Sequence, residues 1–149
     1  AKVWWVLIGT NDFGARGCSE EVVLMGILRV VEEIRLRRPN DTIVINGILP
    51  RTSMPDGRLE GKLSHEQRHF HHLWPSIQVV NKELKRFADK HSDIHYFDAS
   101  NLFLTQLSNE HYTRDEKIIP TELMSDHHHP TSLGHEIWGK AIVDKVIEL

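Results

Sequence analysis

The chain has 149 residues, 40% of them hydrophobic and 26% charged, which is enough to fill one domain with a sizeable core. A formal net charge of -3, with acidic and basic residues interspersed, leaves no basic stripe to follow a phosphate backbone and excludes nucleic acid as an expected partner. No apolar run approaches the length of a membrane span, no signal peptide is expected from the opening residues, and the single cysteine, Cys18, excludes an internal disulfide and leans towards a reducing compartment.

Val3-Trp4-Trp5-Val6-Leu7-Ile8 is a continuous β-branched and aromatic run ended by Gly9, the pattern of a strand buried on both faces inside a parallel sheet. Ser19, followed by Glu20 and Glu21, forms an N-cap with acidic residues in the first turn, so a helix is expected to follow. Its inward positions are Val23, Ile27, Val30, Val31 and Ile34; Arg35, Arg37 and Arg38 suit its C-terminal end, and Pro39-Asn40 stops it. Thr42 to Ile48 reads as a second strand. Leu49 to Trp74 carries Pro50, Pro55, Gly57, Gly61 and several histidines without a period, and reads as a surface excursion, a loop or lid. Pro75 opens a second helix with Ile77, Val80, Leu84 and Phe87 on one face, ended by His91-Ser92-Asp93, and Ile94 to Phe97 is a third strand. An irregular stretch from about Asn101 to Ser125 leads to Asp126, and a last helix runs from Ser132 towards Leu149 with Leu133, Ile137, Ala141 and Val146 inward.

Strands alternating with helices imply an α/β fold in which helices cover both faces of a parallel sheet, with the ligand site beyond the carboxyl ends of the strands. Gly9 to Asp12, Leu49 to Arg51 and Asp98 to Asn101 leave from those ends. An apolar first strand needs a neighbour on each edge. With only two further strands in view, a preceding segment or a partner chain is expected to pair with Val3 to Ile8.

Two short segments stand out: Gly9-Thr10-Asn11-Asp12 after the first strand, and Asp126-His127-His128-His129-Pro130 before the last helix. Together they resemble the G-x-N-D and D-x-x-H blocks of the SGNH (GDSL-like) hydrolases. Leu49-Pro50-Arg51 after the second strand and the closing Pro130-x-x-x-Gly134 are similar to the same family, most of all to its branch resembling platelet-activating-factor acetylhydrolase. The resemblance implies a single domain with a flavodoxin-like three-layer α/β/α sandwich, a serine ester hydrolase acting on a small-molecule ester, and no cofactor. It assigns His129 as the base, Asp126 as the carboxylate that orients it, and Asn11 as an oxyanion donor, with Gly9 and Asp12 supporting the loop. Such chemistry requires a base for the hydroxyl proton, a carboxylate to fix the base's tautomer and donors aimed at the oxyanion.

The family's first two blocks, which hold the nucleophilic serine and an oxyanion glycine, have no counterpart here. Ser19, Ser53, Ser64, Ser100 and Ser132 all lack a G-D-S context. A serine from a preceding segment or another chain is therefore expected to complete the triad, and this chain alone is expected to be inactive. The rival reading is a non-catalytic subunit of the same fold that serves binding or assembly. Plainer roles compete for each residue: Asn11 as a turn residue, Asp126 as a cap of the last helix, and Gly9 as the end of a strand. The eleven histidines invite a metal reading, but adjacent histidines cannot all point to one ion, and no metal is expected.

Overall fold

A computed structural model describes residues 2–14, 17–59, 73–106 and 117–149. These fall into two compact units, one of residues 1–48 and 76–98, the other of residues 49–75 and 99–149.

The first unit is built on a parallel sheet in the order β1-β2-β3, formed by Val3–Val6, Thr42–Asn46 and Ile94–Phe97. Trp5 lies opposite Val44, and Val44 opposite His95. The chain is thus α/β, as its alternating pattern implies. Successive side chains of β2 point to opposite faces, and Ile43, Val44 and Ile45 have no exposed surface, so both faces of the sheet are covered at its centre. Helices α1 (Thr10–Gly14) and α2 (Glu20–Arg37) follow β1, and α3 (Trp74–Ala88) precedes β3. Ser19 caps α2, its hydroxyl accepting from the Val22 N–H. Asn81 of α3 grips the backbone beyond β2: its Oδ1 accepts from the Ile48 N–H at 2.8 Å, and its Nδ2 donates to the Ile48 carbonyl at 2.9 Å. A buried amide thereby satisfies both polar groups of the residue that leads to the segment from Leu49.

Three expectations need correction. β1 is not buried on both faces. It ends the sheet and pairs with β2 alone among the described residues, which leaves Val3 and Trp4 each 38% exposed. On α2, Val23, Ile27 and Val31 are buried as expected, but Val30 is exposed, because it lies outside the row that meets the sheet. The segment after β1 is a helix of five residues, too short to show a period in the sequence.

Gly9 shows why a glycine ends β1. Its φ is +105°, and a Cβ there would stand 2.9 Å from Val23 Cγ1 and 3.1 Å from Ile27 Cδ1 of α2. Gly9→Ala is expected to destabilise the protein by about 1–3 kcal/mol, measured as a lower denaturant midpoint with an unchanged slope.

Asp93, just before β3, accepts from Arg35 of α2 at 2.8 and 3.2 Å. The Arg35 hydrogen bond holds its carboxyl below the ordinary carboxylate value. A carboxyl depressed in the folded state contributes stability above its unfolded pKa of about 3.9 and loses it as pH falls through the folded value. Both side chains are about a third exposed, so Asp93→Asn should cost less than about 1 kcal/mol at pH 7. It should also flatten the acid limb of the stability curve below about pH 4, as urea titrations at several pH values would record.

In the second unit a 3₁₀ helix (Ser100–Phe103) leads to the antiparallel pair β4 (Thr105–Gln106) and β5 (Lys117–Ile118), and α4 spans Ser132–Glu148. The expected inward row of α4 is not buried: Leu133 is 46% and Val146 40% exposed. The helix instead packs through the neighbouring line of Gly134 and Trp138. A Cβ at Gly134 would meet the Leu123 carbonyl, and the Trp138 ring lies edge-on to Phe103 at 6.4 Å. No helix among the described residues is long and apolar enough to cross a membrane.

Candidate active site

The turn from Met124 to Pro130 separates its three adjacent histidines into three environments. His127 is buried, at a φ of 59° that non-glycine residues seldom adopt. Its Nδ1 faces the Ile119 carbonyl and its Nε2 the Pro55 carbonyl, both at 3.2 Å. Its backbone bonds to Met124 and Thr52. Gly57 leaves room for the ring, since a Cβ there would lie 3.0 Å from His127 Cε1 and 2.6 Å from the Ile119 oxygen. His127 therefore ties the segment of residues 52–57, the β5 end and the turn together, and the sequence reading missed it because its partners are distant in the chain.

His128 and His129 stay at the surface and share Asp126. One carboxylate oxygen of Asp126 accepts from the backbone N–H groups of His128 and His129, at 3.1 and 2.8 Å. Its other oxygen accepts from His129 Nδ1 at 2.7 Å. A carboxylate can only accept, so Nδ1 carries the proton and Nε2 keeps its lone pair, on a ring 70% exposed. Partial burial pushes the Asp126 carboxyl up, but the hydrogen bonds from the His129 ring and from the two backbone N–H groups outweigh it and hold the group well below the usual carboxylate range. Asp126 is therefore ionised throughout the neutral range, with its charge set against the imidazole.

The structure thus brings Asp126 and His129 into the relation that orients a general base. Asp126 does not cap α4. That role belongs to Thr131, whose hydroxyl accepts from the Gly134 N–H at 3.2 Å. Gly9, Asn11 and Asp12 lie in the first unit, at the junction of β1 and α1. Asn11 is exposed at the second position of α1. Asp12 fixes the junction through its backbone, donating to the Gly9 carbonyl at 3.2 Å and accepting from the Cys18 N–H at 3.0 Å. The histidines at 65, 69, 71 and 72, and half of the expected lid, fall outside the described residues.

Solved structures of similar fold include a proposed platelet activating factor protein from Streptococcus pneumonia, 16% identical with a TM-score of 0.71, covering 97% of this chain and 59% of its own. A proposed acylhydrolase from Bacteroides fragilis is 16% identical, with a TM-score of 0.69 and coverage of 98% and 61%. This chain shares the α/β fold of these structures. A carbohydrate esterase family 3 protein from Talaromyces cellulolyticus also matches at 17% identity, with a TM-score of 0.64 and coverage of 99% and 58%. The chain spans about three fifths of the length of these structures. No protein-family model and no curated protein matches the sequence.

Proposed function

We propose that this chain forms the C-terminal part of an SGNH-type serine ester hydrolase, in which His129 is the general base, Asp126 its orienting carboxylate and Asn11 an oxyanion donor. The carrying observation is the 2.7 Å contact of His129 Nδ1 with an Asp126 carboxylate fixed by two backbone N–H groups. In this reading His129 Nε2 takes the proton of a serine hydroxyl as the serine attacks the ester carbonyl, and returns it to the leaving alcohol. Water then hydrolyses the acyl-enzyme by the same route. The serine comes from a segment preceding Lys2 or from another chain, and no cofactor takes part. The full-length protein should turn over a short-chain p-nitrophenyl ester and take up one fluorophosphonate per active site on a serine outside the sequence described. Labelling of no serine, or of one within residues 1–149, would overturn the assignment.

The outer edge of β1, unpaired among the described residues, supports a second reading, a non-catalytic subunit that receives a strand from a partner. Trp4 borders a groove with Val30 and Ile34, rimmed by Arg29, Arg37 and Arg38. An exposed strand edge beside an apolar groove suits β-augmentation. This reading expects a stable complex with a second chain and no ester turnover, whereas the catalytic reading expects turnover from the full-length protein alone or from the assembled complex.

A further inference from the structure

We propose that Asp126, His128 and His129 form a zinc site whose occupation switches the hydrolase off; the inhibitory half of this inference rests on the proposed function. One ligand atom from each residue lies within 4.8 Å of the others, a group composed of two imidazoles and one carboxylate. His127 is excluded from it, its ring turned inward between two carbonyls.

The position of His128 carries the inference. Its Nδ1 donates to the Asp126 backbone carbonyl at 2.8 Å, and its Nε2 lies 3.3 Å from Asp126 Oδ2. A cation between that nitrogen and the carboxylate oxygen would be attracted by both. A ring whose far nitrogen donates to a backbone carbonyl is also the arrangement that metal-binding histidines usually adopt. Ligand atoms about 2.0–2.1 Å from a tetrahedral zinc stand roughly 3.3–3.4 Å apart. The His128–Asp126 pair already has that spacing. The His129–Asp126 pair, at 2.7 Å, must open by a few tenths of an ångström as zinc replaces the bridging proton. Water would fill the remaining position at this exposed site.

Coordination by His129 Nδ1 uses the lone pair that forms when its proton leaves. A neutral ring then carries its proton on Nε2, the original one having exchanged through solvent. Nε2 can no longer accept a proton from a serine, so bound zinc disables the base without touching a nucleophile.

The test uses full-length protein purified without a polyhistidine tag. Calorimetric titration with zinc chloride should give one ion per chain at this site, and cobalt should give a tetrahedral visible spectrum. His128→Ala should weaken zinc binding by more than about tenfold, with unchanged far-UV circular dichroism. Asp126→Asn should weaken it as well. Zinc should inhibit ester turnover, and His128→Ala should shift the inhibitory concentration upward by the same factor as the affinity. Affinity unmoved by both substitutions, or no binding at all, overturns the inference. If zinc binds as expected but the protein shows no turnover in EDTA, the hydrolase reading and its inhibition fall and the metal site stands. If turnover is present and zinc neither binds nor inhibits, the inference fails alone.

Discussion

His129→Ala in the full-length protein should lower kcat for a p-nitrophenyl ester by at least about 10⁴-fold, and Asp126→Asn by about 10⁴-fold, while both proteins remain folded. The Asn variant is the more informative. Asp126 has two tasks, divided between its oxygens: one accepts from the His128 and His129 backbones and shapes the turn, and the other meets the His129 ring. An asparagine can keep its carbonyl oxygen on the two backbone N–H groups and so preserve the turn. Its amide nitrogen then faces His129 Nδ1 and donates to it, which moves the ring proton to Nε2. The base is present, in place and in the wrong tautomer. Loss of turnover with a denaturation midpoint close to that of the parent therefore separates the chemical role of the carboxylate from its structural one. Turnover within tenfold of the parent in either variant would remove the pair from the mechanism.

The residues differ in how much of this the sequence discloses. Ser19 with Glu20 and Glu21 marks the start of α2 because a cap works through its own side chain and the next turn, and β3 is read at its observed bounds because its apolar run sits between two clear breaks. Periodicity identifies which helix face is apolar, but not what covers it. Val30, Leu133 and Val146 are on the expected stripes and still exposed, since burial depends on the residue row that the neighbouring element meets. The D-x-x-H spacing places Asp126 within reach of His129, because both belong to one tight turn. It is silent on the difference between His127, His128 and His129, which is imposed by the Pro55 and Ile119 carbonyls and by the space at Gly57. Contacts of that kind come from segments up to 72 residues away, and nothing local in the chain encodes them.

Asn11→Ala should lower kcat by about 10²–10³-fold and leave KM little changed, since an oxyanion donor acts on charge that exists only as the transition state forms. The contrast with Gly9, two residues earlier, makes the result readable. Gly9 packs against Val23, Ile27 and Ile48 at a positive φ, so its substitution is felt first as lost stability. Asn11 is exposed at the start of a five-residue helix, so its truncation should alter stability by less than about 1 kcal/mol. Asn11→Asp sharpens the distinction, because it keeps the size and turn preference of asparagine while replacing the donating amide with an acceptor that repels an oxyanion. A turn residue would tolerate aspartate, which is as favourable as asparagine in such positions. An oxyanion donor would not, and the Asp variant should then fall at least as far as Ala. Wild-type kcat in both variants would reduce Asn11 to a turn former and leave His129 and Asp126 without a donor from this chain.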